Sequence, residues 1–306
     1  LNELLKKIYQ KKLFFLKINN LKKKNLKKIF LTKKVDLIPI INEKKKLIKI
    51  LTFENLIKKK KKKIIKKKQN FSVLIMAGGK GTRLLPFTHV LPKPLIPINK
   101  KTLIEHILDQ LKFNGVNNVS LSINYKSKTL ISFLDEIKKK NFKINYFKEE
   151  RPLGTIGILG KINKKLKKNI LITNCDTIIK YDYRKILNFH EKEKYAITLV
   201  LAKKKQYLPY GVCNVKKSSN ELISIKEKPH ITYLANTGFY FLDRKVAKYI
   251  PKNKFYNFNE LIQKCLNNNE KIGTFTISEN NWLDVGQWKE YQIALNKLKI
   301  NSNNDK

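Results

Sequence analysis

FSVLIMAGGKGTRLLPFTHVLPKPLIPI, residues 71–98, is the stretch from which the rest of the chain is read. The apolar run Phe71–Met76 has the length and composition of a strand buried on both faces, as in a parallel sheet. Ala77-Gly78-Gly79-Lys80-Gly81-Thr82-Arg83 follows it with almost no side-chain bulk. Glycine admits positive φ and lets the backbone approach a ligand closely. Consecutive N–H groups in such a loop form an anion-binding concavity, and Arg83 adds a planar fork suited to phosphate. Beyond it, Pro86, Pro92, Pro94 and Pro97 fix φ, so Lys93, held between two prolines, loses little entropy when it is positioned.

Downstream, the pattern alternates strand and helix. Thr102 and Glu105 have capping-box spacing ahead of Leu103, Ile104, Ile107, Leu108 and Leu111. Gly115 ends that helix and 119–123 reads as the next strand. A helix over about 127–139 leads to a strand at 142–147; residues 154–167 read as helical despite their glycines, and 170–173 as an apolar strand. This βαβ series predicts an α/β fold, a Rossmann-like, doubly wound sheet that is mixed but mainly parallel, with helices on both faces. Ligands of such sheets bind beyond the strand C-termini, where the glycine loop lies. The remainder is richer in strands, at 196–202, 211–215, 223–226, 238–242 and 272–277, with helices at 258–266 and 287–298. It is expected to extend the sheet and supply an acceptor pocket.

Two familiar phosphate motifs do not fit. A Walker A loop requires Gly-Lys-Ser/Thr where this chain has Gly-Lys-Gly-Thr, and the third glycine of the dinucleotide fingerprint would fall at Leu84. A bare GGxG is equally an ordinary glycine-rich turn. The whole string, with Thr82-Arg83 and Pro92-Lys93-Pro94 at their spacing, resembles the signature of the sugar-1-phosphate nucleotidyltransferases, or nucleotide-sugar pyrophosphorylases. The resemblance extends from residue 71 to about 295. It implies an enzyme that condenses an NTP with a sugar-1-phosphate and releases pyrophosphate. Arg83 and Lys93 are then the catalytic cations, and Ala77, Gly78, Gly79, Gly81 and Thr82 contact the nucleotide.

Asp176, at the end of the strand before it, and Asp284, in Trp282-Leu283-Asp284-Val285-Gly286, are candidate Mg²⁺ ligands. A lone Asp at a strand end is more often an Asx turn or a helix cap. A pair of them in a chain with a phosphate loop is better explained by a metal that bridges phosphates, and the family resemblance points to the same two segments. Cys175 stands where the family has glycine; if that position needs positive φ, cysteine is strained there.

Arg151-Pro152-Leu153-Gly154-Thr155 resembles the family's base-facing loop, which adds Glu149, Gly154 and Thr155 to the nucleotide contacts. An ionised carboxylate only accepts hydrogen bonds, and guanine offers adjacent N1–H and N2–H donors. Glu149 or Glu150 therefore favours GTP, although a solvated acidic pair reads equally from these residues. Pro209-Tyr210-Gly211, Glu227-Lys228-Pro229 and Asn236-Thr237-Gly238 resemble the sugar-phosphate side, with Tyr210, Gly211, Glu227, Lys228, Asn236 and Gly238 as contacts. Each tripeptide alone is an ordinary surface turn. Mannose-1-phosphate and an amino-sugar-1-phosphate both suit such a site.

Upstream of the stretch, residues 1–60 form a separate small α+β unit. It comprises a Lys-rich amphipathic helix at 21–31, strands at 35–41 and 47–51 around a turn at Asn42, and a helix through 57 capped by Thr52. The order resembles one cystathionine-β-synthase-type (CBS) motif. Such motifs work in pairs around an adenine nucleotide, the second lying before Leu1 or in another subunit. Asn55 stands where the family has a ribose-holding Asp. The residues themselves fit a packing or dimerisation element better than a ligand sensor. Residues 61–69 read as a Lys-rich linker and 70–300 as the nucleotidyltransferase domain, expected to work as a homo-oligomer.

Lys+Arg number 67 against 23 Asp+Glu, a net charge of +44, yet only Arg83, Arg151, Arg184 and Arg244 are arginines. Base-reading surfaces favour arginine, and the lysines run along the whole chain, so no specific nucleic-acid partner is expected. Weak, salt-sensitive polyanion binding follows from the charge alone. The three cysteines are far apart and fit a reducing cytoplasm rather than a disulfide framework. No apolar run approaches the length of a membrane span. The chain begins at Leu1 without an initiator Met and reads as a fragment or part of a longer protein. Two rival readings accompany the enzyme. One is a catalytically weak regulatory homologue, favoured by Cys175 and Asn55; the other is a polyanion-associated protein, favoured by charge alone.

Overall fold

The computed structural model describes residues 14–17, 29, 32, 37–52, 69–138 and 142–302. The chain divides into two units, Leu1–Ile65 and Lys66–Lys306. In the first, β1 (Leu16–Lys17) lies parallel to β2 (Leu37–Ile41), which pairs antiparallel with β3 (Leu47–Thr52). Asn42 shapes the hairpin: its Oδ1 accepts from Lys46 N at 2.8 Å and its carbonyl from Lys45 N at 3.1 Å. Lys45 takes a positive φ of 54° in that turn. Ile38, Ile40 and Ile41 are buried, while Leu47, Ile48 and Ile50 of β3 are exposed. The expected helix at 21–31 (Ile29 apart), the helix after Thr52, Asn55 and nearly all of the 61–69 linker lie outside the described residues.

The second unit is built on β4 (Phe71–Ala77), where the consecutive residues Val73, Leu74 and Ile75 are all buried, so that both faces of the strand are covered. Chain order continues with α1 (Phe87–Val90), β5 (Pro97–Ile98), β6 (Lys101–Thr102), α2 (Leu103–Phe113), β7 (Asn118–Ile123), α3 (Ser127–Lys138) and β8 (Lys143–Lys148). Then come α4 (Ile158–Ile162), β9 (Asn169–Asn174), β10 (Thr177–Ile179), α5 (Tyr183–Lys192), β11 (Ile197–Tyr207), β12 (Val212–Val215) and β13 (Leu222–Lys226). The unit ends with β14 (His230–Asp243), α6 (Phe258–Asn267), β15 (Ile272–Ser278), β16 (Trp282–Asp284) and α7 (Trp288–Ser302). The seven-stranded sheet has the order β15-β11-β14-β9-β4-β7-β8. Only β14 runs against its neighbours, so the sheet is mixed and mainly parallel.

Two cores sandwich this sheet, as a βαβ series requires. Phe71, Val73 and Ile75 meet α2, α5 and α7 on one face; Leu74, Ile170 and Ile172 meet α4 and α6 on the other. The Thr102–Glu105 capping box forms, with Thr102 N donating to Glu105 Oε2 at 2.7 Å. Two expectations are corrected. Residues 154–167 are not one helix: 154–157 are turns, α4 spans only Ile158–Ile162, and Asn163–Lys165 is a 3-10 turn. The cause is Gly154, at φ 76°, packed so closely on Tyr256 that a Cβ would stand 2.6 Å from its carbonyl oxygen. The strand expected at 238–242 runs instead from His230 to Asp243, so Asn236-Thr237-Gly238 lies within a strand rather than at a surface turn.

Candidate active site

The loop after β4 opens at the C-terminal edge of the sheet, between β7 and β9. Gly81, at φ 69°, lies against the stem of Lys93; a Cβ there would come within 2.9 Å of Thr88 and 3.1 Å of Lys93. Thr88 Oγ1 donates to Gly81 O at 3.1 Å. The glycine loop and the Pro-Lys-Pro segment thus lock together, with Gly79 and Lys80 exposed and Arg83 exposed on a 3-10 turn, Thr82–Leu84.

Lys93 is buried, and its Nζ donates to Asp176 Oδ2 at 2.5 Å. Asp176 sits between β9 and β10, and β10 pairs antiparallel with β16, Thr177 opposite Asp284. Val285 N donates to Asp176 O at 3.0 Å, and Asp284 Oδ1 accepts from Gly286 N at 3.0 Å. This small sheet carries the second carboxylate to the first across more than a hundred residues of sequence. Burial, reinforced by the charge of Asp176 and opposed by Lys93, pushes the Asp284 carboxyl above its usual range. Cys175 is buried in the core, and its φ is not positive, so cysteine is unstrained there. Burial, with Asp176 beside it, pushes its thiol up to about 12.

Around these groups lies a cleft of about 200 Å³ lined by Arg83, Asn174, Asp176, Thr177, Asn236, Thr237, Gly238, Tyr240, Trp282, Asp284, Gly286 and Gln287. Asn236 is set by its neighbours: its Nδ2 donates to the Tyr240 hydroxyl at 3.0 Å and its Oδ1 accepts from Gly238 N at 3.2 Å. Gly238, at φ 75°, lies where a Cβ would strike Asn174 Nδ2 at 2.5 Å. Trp282 and Gly286 stand in the sequence only as flanks of Asp284, and no motif marks Thr177, Tyr240 or Gln287 as lining residues. The indole N–H of Trp282 is buried with no hydrogen-bond partner among the described residues. A larger cleft, about 610 Å³, lies near Lys168 and Asp243, at the ends of β9 and β14 away from Asp176. Its lining holds Lys164, Lys168, Arg244, Lys245 and Lys248 with the single carboxylate Asp243, whereas the smaller cleft is lined by two carboxylates, Asp176 and Asp284.

Other expected contacts stand apart from that lining. Glu149 is buried beneath Gly78: Ser122 Oγ donates to its Oε1 and Leu153 N to its Oε2 at 3.0 Å. Both oxygens already accept a hydrogen bond from the protein. Glu150 is 90% exposed, 4.0 Å from Lys161 Nζ. Gly154 and Thr155 hold the start of α6, with Thr155 Oγ1 accepting from Phe258 N at 2.8 Å. Tyr210, Gly211, Glu227 and Lys228 are exposed about the β12–β13 ribbon, with Glu227 and Lys228 3.9 Å apart. Among the described residues no three acidic, His or Cys side chains cluster, so a cation here would take two carboxylates and complete its shell from substrate and water. No helix among the described residues is long and apolar enough to cross a membrane.

A family model described as nucleotidyl transferase matches residues 72–300. The mannose-1-phosphate guanyltransferase of Debaryomyces hansenii is 32% identical over 225 residues, 71% of this chain and 62% of that protein. Mannose-1-phosphate guanylyltransferase 1 of Arabidopsis thaliana is 30% identical over 230 residues, 72% of this chain and 63% of its own length. The chain thus spans under two thirds of the curated relatives it matches. Among solved structures, HddC from Yersinia pseudotuberculosis is similar with a TM-score of 0.60 and 25% identity, covering 74% of this chain and 99% of that one.

Proposed function

This chain belongs to the nucleotidyl transferase family, and from that premise we propose that it condenses GTP with a sugar-1-phosphate, releasing pyrophosphate. The observation that carries the reading is the convergence of Arg83, the Lys93–Asp176 pair and Asp284 on one cleft at the mouth of the glycine loop. A sugar phosphate is already anionic at neutral pH, so its oxygen attacks the α-phosphorus without a protein nucleophile. The new P–O bond forms as the bond to the β-phosphate oxygen breaks, and the electron pair leaves with pyrophosphate. The barrier lies in bringing anions together, so positioned positive charge does most of the work. Arg83 is exposed on the cleft wall, free to turn onto phosphate, whereas Lys93 is held in place by Asp176. Ala77, Gly78, Gly79, Gly81 and Thr82 line the backbone path along which the triphosphate would lie.

Mg²⁺ fits the donor set. Two hard carboxylates share a buried wall, and burial, with the charge of Asp176 beside it, raises the Asp284 carboxyl. Asp176 and Asp284 would hold the ion, which when bound supplies charge neutralisation on the phosphates. Asn236 and Gly238 are the sugar-side contacts that lie on the cleft. Tyr210, Gly211, Glu227 and Lys228 remain our candidates for the outer edge of the acceptor, and Glu150 for the base. The names of the relatives support GTP and mannose-1-phosphate. Cys175, in ordinary backbone geometry, removes one ground for a worn regulatory homologue. We further read residues 1–60 as a CBS-like unit, which the β2–β3 hairpin suits, the enzyme as a homo-oligomer, and the free cysteines as those of a cytoplasmic protein.

Pyrophosphate release from a matrix of GTP, UTP, dTTP and ATP against mannose-, glucose- and amino-sugar-1-phosphates tests the reading. GTP with mannose-1-phosphate should react fastest. Release from no pair would turn the chain into a regulatory homologue.

A further inference from the structure

Arg83 rides on a segment with little regular structure of its own. Between Thr82 and Ile98 lie two 3-10 turns, the four-residue α1 and the two-residue β5. Leu84 anchors the segment in the core, but Leu85 and Phe87 are 40% and 36% exposed. What fixes that exposed part is α7. Trp288 Nε1 donates to Leu85 O at 2.8 Å. The Phe87 ring lies 4.9 Å from that of Trp288 and 5.9 Å from that of Tyr291. Tyr291 itself donates through its hydroxyl to Pro97 O at 2.9 Å. The opposite side of the segment is tied by Tyr125, whose hydroxyl donates to Thr88 O at 3.1 Å.

α7 starts directly after Asp284-Val285-Gly286-Gln287, which places its first turn next to the carboxylate wall of the cleft. One rigid helix turn therefore contacts the segment bearing Arg83 while continuing from the strand bearing Asp284. Catalysis by positioned charge is sensitive to spacing: a displacement of about 1 Å can cost about a hundredfold in rate. We infer that Trp288 is a positioning residue, which sets Arg83 at its working distance from Asp284 by holding Leu85 and Phe87 against the first turn of α7. This rests on the function proposed above, since it assigns Arg83 the phosphates.

A double-mutant cycle tests it. Trp288→Phe keeps an aromatic ring against Phe87 and removes the N–H donor. In the wild-type background it should lower kcat roughly tenfold, with the KM for sugar-1-phosphate and the melting temperature nearly unchanged. If Trp288 acts through Arg83, the same change made in Arg83→Ala should alter kcat by less than about twofold. Phe87→Leu, which disrupts the contact from its other side, should behave in the same way and serves if Trp288→Phe folds poorly. Wild-type kcat in both variants, or an undiminished loss in the Arg83→Ala background, would overturn the inference. Near-wild-type turnover in Arg83→Ala alone marks the different failure, that of the site reading itself.

Discussion

Lys93 Nζ and Asp176 Oδ2 stand 2.5 Å apart, with the two side chains only 9% and 13% exposed. A cation proposed for phosphate and a carboxylate proposed for metal therefore hold each other before any substrate arrives. Breaking a buried pair from one side costs about 3–5 kcal/mol because a charge is left uncompensated. Lys93→Met should accordingly lower stability in urea unfolding as well as abolish turnover. Adding Asp176→Asn should restore much of the stability and none of the activity. A single variant as stable as wild type would show that the pair is not buried in solution.

Asp284→Asn leaves the size of the side chain and removes one negative charge from the two-carboxylate wall. Turnover should fall, and the Mg²⁺ concentration needed for half-maximal rate should rise, because a divalent ion loses one anionic ligand. An unchanged Mg²⁺ response would make Asp284 a turn residue that merely accepts from Gly286 N.

Glu149 and Glu150 are adjacent in sequence and opposite in environment. Glu149→Gln would set an amide donor against Ser122 Oγ or Leu153 N, so it should lower the melting temperature and leave the ratio of GTP to UTP efficiency as it was. Glu150→Gln should lower that ratio by roughly tenfold, a charge-assisted pair having been lost. A ratio that moves with Glu149 and not with Glu150 reverses the assignment.

His190 gives the pH dependence of stability. Its Nδ1 lies 2.8 Å from Thr198 Oγ1, and burial holds it down to about 4, with Asp243 opposing and Lys168 adding to the shift. In the unfolded chain it titrates near 6.5. The unfolded state thus binds the proton first, so the stabilisation is complete above about pH 6.5 and is lost as pH falls toward about 4. Urea midpoints measured between about pH 7 and about pH 5 should fall less steeply in His190→Asn than in wild type. Identical slopes would mean that the histidine is hydrated.

Much of the fold was legible because burial is written into composition. Phe71–Ala77 and Asn169–Asn174 are apolar on both faces, and the Thr102–Glu105 box states its own helix start. β14 was cut short in the reading because its first half, from His230 to Leu234, is exposed and carries no burial pattern. The helix expected at 154–167 failed on Gly154, whose positive φ answers to Tyr256, a contact no local pattern reveals. That Arg83, Asp176 and Asp284 line one cleft, with Lys93 paired to Asp176, could be anticipated from motif, chemistry and family resemblance together. That Glu149 is a structural clamp could not, since its partners are a strand residue upstream and a backbone N–H; nor could the tie from Trp288 to Leu85, which joins residues far apart in the chain.

Nucleotidyl transfer by positioned charge in this cleft is tested most directly by steady-state pyrophosphate release from GTP and mannose-1-phosphate with Mg²⁺ by wild type and Arg83→Ala, with melting curves for both. Arg83 is exposed, so folding should be unaffected by its loss while kcat falls roughly 10²–10³-fold. A folded Arg83→Ala protein that turns over at the wild-type rate would contradict the account.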